Sequence, residues 1–178
     1  MIVLTKALSE RALQTRLLIL DVDGVLTDGR LYYSDSGSEL KGFSTQDGAA
    51  LKLLMGSGVQ TAIITGRSSA LVARRAEELG ISHYYHGSED KRMALEQLAD
   101  VSGVSPALMA HVGDDLPDLV LFNRVGLRFA VPGAHPVVLE RADYTTTAQP
   151  GSGAVREVCQ LLMTAQGTWD DALARYDR

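Results

Sequence analysis

Cysteine is almost absent. The one thiol, Cys159, cannot form an intrachain disulfide, which fits a reducing compartment. It stands in an amphipathic stretch with Val158, Leu161 and Leu162 and reads as a small buried hydrophobe rather than a nucleophile. A basic surplus is missing too. The net charge is -5 at pH 7 over 178 residues, and Lys and Arg are scattered. With no basic stripe, nucleic acid is argued against as the main partner. Small phosphorylated ligands stay open, because they need only a local positive site. No apolar run is long enough to span a membrane. The opening stretch MIVLTKALSERALQTR carries charges throughout and does not read as a signal peptide. These absences point to a cytoplasmic protein. There is also no His/Cys cluster with zinc spacing, no internal repeat and no low-complexity linker.

What is present is ordinary for a globular chain: 46% hydrophobic and 22% charged residues, in a length suited to one domain with a real core. Short apolar runs alternate with helical patterns. Leu17–Leu20, Val59–Thr65, ISHYYHG, Leu108–Gly113, LRFAV and DYTTT read as strands. Between them, helices are expected around Leu51–Met55, over Ser68–Leu79 with Gly80 as the stop, from a Ser88 cap to about Ala99, after Pro117, over HPVVLERA, and finally over Ala154–Ala165. Strand alternating with helix predicts an α/β fold, a doubly wound and mostly parallel sheet covered on both faces. In such sheets ligands bind beyond the carboxyl ends of the strands. One segment breaks the alternation: Gly29–Phe43 pairs two β-prone runs around SDSGS and predicts a projecting hairpin.

The chemistry gathers at the strand ends. LLILDVDGVLTDGR runs four apolar residues into Asp21 and Asp23. On an extended chain both side chains point the same way, roughly 6.6 Å apart. Two like charges so placed call for a cation between them or a proton on one. A third carboxylate comes from HVGDDLPD, where Asp114 follows Gly113, with Asp115 and Asp118 nearby. Oxygen ligands from separate strand ends suit Mg²⁺, which binds at about 2 Å and keeps several waters. A carboxylate can act as a nucleophile toward phosphorus, and a second one can move the protons. The phosphoryl group needs donors and cations. Thr65, with the amides of Gly66 and Arg67, ends a strand in ITGR. Lys91 sits in the first turn of its helix, where it opposes the helix dipole. His111, beside GDD, reads as a packed strand residue.

DVDGVLTDG, ITGR, DK and GDDLPD, in that order, resemble the four motifs of the haloacid dehalogenase superfamily of phosphatases, over about residues 17 to 166. The resemblance implies a Rossmann-like sheet, Asp21 as nucleophile and Asp23 as general acid/base. It implies Thr65, Gly66 and Lys91 as phosphate binders. Mg²⁺ would be held by Asp21, Asp114 and the backbone carbonyl of Asp23, with Asp115 and Asp118 in support. The longer stretches DGVLTDGRLYY, TQDGAALKLL, TGRSSALVARRAEELGI, HGSEDK and GSGAVREV are similar to a branch of that superfamily. Its members hydrolyse 3-deoxy-D-manno-octulosonate 8-phosphate, a lipopolysaccharide precursor. Ser152 stands where that branch often has glycine. Arg67 and Arg156 are candidates for the sugar carboxylate.

Neither place where superfamily members carry a cap domain has room for one here. The first gap holds only the hairpin, and the second, Gly66 to Asp90, only one helix and a short strand. The resemblance therefore implies a homotetramer in which neighbours close each other's sites. The whole chain, 1–178, reads as one phosphatase domain. Its tail, about 167–178, carries Trp169, Leu173 and Tyr176 on one face of a short docking helix. Rival readings are a phosphatase for a nine-carbon acid sugar phosphate, a non-enzymatic oligomerisation module, and a phosphoryl-transfer motor or protein phosphatase. Retention of Asp21, Asp23, Thr65, Lys91 and Asp114 weighs against the module. Asp rather than Thr at position 23 favours a hydrolase over a motor.

Overall fold

The computed structural model describes residues 5–88 and 90–177. The first four residues of the N-terminal stretch, Glu89 of the HGSEDK run and the last residue of the tail lie outside the described residues. Six parallel strands form one sheet, in the order β5-β4-β1-β6-β7-β8. They are β1 (Leu17–Leu20), β4 (Gln60–Ile64), β5 (His83–Tyr85), β6 (Met109–Gly113), β7 (Leu127–Ala130) and β8 (Tyr144–Thr145). Two two-residue strands, β2 (Tyr32–Tyr33) and β3 (Glu39–Leu40), pair antiparallel outside it.

The apolar run of β1 is buried along its whole length, and its alternation sorts the core into two layers. Leu18 and Leu20 pack with α1 (Lys6–Gln14), α2 (Thr45–Gly56), α3 (Ala70–Leu79) and α7 (Ala154–Ala165). Leu17 and Ile19 pack on the other face with α4 (Lys91–Ser102) and α5 (Leu119–Phe122). Burying such a side chain contributes roughly 2 kcal/mol, and a strand buried on both faces collects this at every residue. The doubly wound sheet is thus as expected. Among the described residues the two possible cap positions hold only the hairpin and the α3–β5 unit.

Some boundaries differ from expectation for local reasons. Asp90, not Ser88, caps α4, its side chain accepting from Arg92 N at 2.9 Å. This leaves Lys91 as the first helical residue. The helix α3 starts at Ala70 and ends on Gly80 in the left-handed region. The charged N-terminal stretch forms α1, whose buried Leu8 and Ala12 dock on the sheet. Pro117 lies in a single 3₁₀ turn, Leu116–Asp118, before α5. In the tail, α8 (Trp169–Leu173) docks through Ala172 and Trp169, while Leu173 and Tyr176 are exposed.

The glycine-rich turn before α7 is held in part from outside its own helix. Asp47, buried in the first turn of α2, accepts from Arg156 N at 2.8 Å and Gly153 N at 3.3 Å. It serves orphan donors at the α7 N-terminus. Burial raises the Asp47 carboxyl despite these bonds. Glu157 accepts from Tyr144 Oη at 2.7 Å and from the Thr147 and Ala148 amides, each at 2.9 Å. The turn is thereby pressed on the loop after β1. A Cβ at Gly151 would lie 2.7 Å from the Thr27 carbonyl carbon, and Gly151 has φ +64°.

Candidate active site

The sheet changes winding direction at β1, with β4 on one side and β6 on the other. That is the switch point where an open α/β sheet leaves a crevice. Asp21, Thr65 and Asp114 follow the ends of these three adjacent strands, and Lys91 opens α4 beside them. A cavity of about 450 Å³ is lined by Asp21, Asp23, Thr65, Gly66, Arg67, Lys91, Asp114 and Asp115, among others. Of the residues singled out in the sequence, Asp118 and Arg156 are not in that lining.

Leaving β1, the chain makes a tight turn over Val22–Leu26. Thr27 closes it. Its amide bonds Val22 O at 3.0 Å, and its buried hydroxyl accepts from the Gly24 and Gly29 amides at 3.4 and 3.3 Å. Gly24 has φ +89°, and a Cβ there would sit 2.1 Å from Asp114 Oδ2. Only glycine lets the turn and the Asp114 carboxylate share this space.

The two aspartates of the turn do not hold a common partner. Asp21 Oδ2 lies 3.2 Å from Lys91 Nζ. Asp23 Oδ1 pairs with Lys41 Nζ, and its Oδ2 lies 3.7 Å from Arg67 Nη1. The period-two expectation holds in that both line one cavity. The turn sends them to opposite cations.

Behind Asp21 is a buried charge network. Lys91 Nζ donates to Asp118 Oδ1 at 2.7 Å, and His111 Nε2 lies 3.0 Å from the same oxygen. Asp118 Oδ2 accepts from the Asp114 and Asp115 amides at 2.9 and 3.2 Å. Burial alone would raise the Asp118 carboxyl, but the bonds and charges of His111 and Lys91 hold it well below the usual range. His111 is fully buried, with Nδ1 3.2 Å from Ile19 O and its ring edge-on to Phe122. It braces Asp118, as a packed strand residue should. Burial would lower the Lys91 ammonium, but Asp21 and Asp118 raise it above its ordinary value. Asp115 caps the 3₁₀ turn through Leu116 N at 2.8 Å.

Among the described residues, Asp21, Asp114 and Asp118 form the acidic group able to hold a metal ion, with one oxygen of each within 4.8 Å of the others. Asp21 and Asp114 of this group are two of the expected ligands. The Asp23 carboxylate is turned to Lys41 and Arg67, and the expected third ligand is its backbone carbonyl. Asp118 already spends both oxygens on protein donors. Asp21 and Asp114 are left. Among the described residues Asp114 Oδ1 is buried without a hydrogen-bond partner, a costly state for an acceptor unless a ligand completes it. Burial, then Asp118, Asp21 and Asp115, push the Asp114 carboxyl up to about 7. Burial also raises Asp21, with Lys91 opposing. Hard oxygen donors crowded this way fit a divalent cation such as Mg²⁺.

Arg67 lines the cavity and ties to Glu39 Oε1 at 3.0 Å. Arg156 does not line the cavity of its own chain; its Nη1 donates to Gln46 Oε1 at 2.7 Å. Sequence reasoning missed Lys41, Glu39 and Thr27. A signal for the first two existed. Glu39 and Lys41 flank Leu40, so on a strand they share a face opposite to it.

A family model for haloacid dehalogenase-like hydrolases matches residues 85–158. The 3-deoxy-D-manno-octulosonate 8-phosphate phosphatase KdsC of Escherichia coli K12 is 48% identical over 162 residues, 91% of this chain and 86% of that protein. The chain belongs to the 3-deoxy-D-manno-octulosonate 8-phosphate phosphatase family of the haloacid dehalogenase superfamily. It is a phosphoric monoester hydrolase. Two crystal structures from this superfamily show the same architecture. One, of a probable YrbI-family phosphatase from Pseudomonas syringae pv. phaseolica 1448a, superposes with TM-score 0.95 at 47% identity, covering 98% of this chain and 99% of that one. The other is the Moraxella catarrhalis octulosonate phosphatase in complex with a magnesium ion, a phosphate ion and a KDO molecule. It gives TM-score 0.94 at 43% identity, over 97% and 99%. In this chain the crevice at β1, β4 and β6 is where Asp21, Thr65, Lys91 and Asp114 meet.

Proposed function

We propose that this chain hydrolyses 3-deoxy-D-manno-octulosonate 8-phosphate to the free sugar acid and phosphate, in lipopolysaccharide precursor synthesis, through an aspartyl-phosphate on Asp21. The observation that carries the chemistry is the Asp21 carboxylate, 3.2 Å from the buried Lys91 ammonium and clustered with Asp114. The KdsC relatives support the choice of substrate. An oxygen of Asp21 attacks phosphorus, and the bond from phosphorus to the C8 oxygen breaks. Asp23 gives that oxygen its proton. Asp23, now a carboxylate, takes a proton from water as the water oxygen attacks phosphorus. The bond to Asp21 breaks and phosphate leaves. Thr65, Gly66 and Lys91 hold the phosphoryl oxygens. Asp21, Asp114 and the Asp23 carbonyl would hold Mg²⁺, which when bound offsets the negative charge gathered on the phosphoryl group.

The same reading takes the chain as one phosphatase domain working in the cytoplasm as a homotetramer. Among the described residues no helix is long and apolar enough to cross a membrane. The hairpin exposes Leu31 at 50%, Tyr33 at 62% and Leu40 at 59%, apolar groups suited to covering by a second copy. The test is a panel with Mg²⁺: 3-deoxy-octulosonate 8-phosphate, a nine-carbon acid sugar phosphate and glucose 6-phosphate. The first is expected to have the highest kcat/KM, and excess EDTA to abolish turnover. Equal kcat/KM across the panel would overturn the substrate, and full activity in EDTA the metal.

A further inference from the structure

Lys41 is a charged side chain hidden where few are. It is 1% exposed, and lysine is seldom buried unless it is paired. Its ammonium pairs with Asp23 Oδ1 and lies 3.4 Å from Glu39 Oε1. Arg67 closes the ring, 3.0 Å from Glu39 and 3.7 Å from Asp23 Oδ2. The two cations treat the two oxygens of Asp23 differently. Oδ1 is held by a buried ammonium. Among the described residues, the cation nearest Oδ2 is a guanidinium beyond hydrogen-bond distance, on a side chain 43% exposed.

We infer that Lys41 is a positioning residue for proton transfer: it fixes the Asp23 carboxylate through Oδ1 and leaves Oδ2 to serve the leaving oxygen and the attacking water. This rests on the acid/base reading of Asp23. A group that moves a proton as a bond breaks must be held in line with the reacting oxygen. Asp23 sits in a turn of irregular backbone and needs an external tether. The tether comes from the residue after β3, so the hairpin is joined to the chemistry through this ammonium.

A simple anchor for the hairpin would affect all phosphate esters alike, whereas a positioning role depends on the leaving group. An alkoxide needs a proton to leave; nitrophenolate does not. Single-turnover release of the alcohol or of nitrophenol reads the first step alone. Lys41→Met in the full chain with Mg²⁺ is expected to slow release from 3-deoxy-octulosonate 8-phosphate by about 10- to 100-fold, and from p-nitrophenyl phosphate by about threefold at most. Lys41→Arg should recover part of the loss. Should Lys41→Met fail to fold, Lys41→Gln gives the same readout. Asp23→Asn serves as the reference and must show the same split, only larger. If Asp23→Asn shows no split, the acid reading falls. If it does, and the Lys41 variants slow both esters equally or neither, Lys41 is an anchor and the inference is overturned.

Discussion

The crevice at β1 and the hairpin of β2 and β3 are both rich in charge, yet they are built by opposite rules. Behind Asp21 in the crevice, charged groups are sealed under apolar layers. Asp118, Lys91 and His111 are almost wholly buried, and each has named partners. The hairpin is turned inside out. Leu31, Tyr33 and Leu40 face outward, and Glu39 and Lys41 face the protein. Its turn is knit by Ser34, Ser36 and Ser38 hydroxyls, and Tyr32 Oη bonds Asp28 at 2.6 Å. The crevice owes its form to the core around it. The hairpin is held by polar contacts and keeps its apolar side for something else. Stability and assembly should therefore separate in mutants of the two regions.

The sharpest break in that comparison is Asp21→Asn. An amide cannot form the acyl phosphate, so turnover should fall by at least about 10⁴-fold with the melting temperature kept. Appreciable residual turnover would count against covalent catalysis. Next is Asp118→Ala, which strips the shared acceptor from Lys91 and His111. Breaking a buried ion pair on one side costs about 3 kcal/mol or more, and urea unfolding should register it; a loss under about 0.5 kcal/mol would mean the network is not structural. The smallest effect on stability belongs to Leu31→Glu and Tyr33→Glu. Both sites are exposed, so the fold should change by about 0.5 kcal/mol at most. Light scattering should show loss of the proposed homotetramer, and kcat/KM for the sugar phosphate should fall. Unchanged mass and activity would detach the hairpin from both.

The contrast also explains what the sequence made legible. Strand ends and the residues after them could be read because four-residue apolar runs mark buried parallel strands whatever packs on them. Asp21, Thr65, Lys91 and Asp114 thus fell together in the expected order. Partners across long loops could not be read this way. Lys41 meets Asp23 because of where a hairpin lands, 18 residues on. Arg156 reads in sequence as a candidate for the sugar carboxylate, and its contact with Gln46, 110 residues back on α2, had no sequence signal. Asp90 outranks Ser88 as a cap through geometry confined to one turn.

The central place of β1 has a consequence for how the chain reaches its native state. Its partners come late: Leu17 pairs with Gln60 on one side and Met109 on the other, and His111 bonds back across 92 residues to Ile19. Each such closure costs chain entropy before it returns any contact, so pairings of high sequence separation form slowly. No fragment ending before β6 can hold Asp21, Lys91 and Asp118 together. Enzyme activity is then a clock for the last event of folding. During refolding it should rise with the slowest phase that buries the sheet, and never ahead of it.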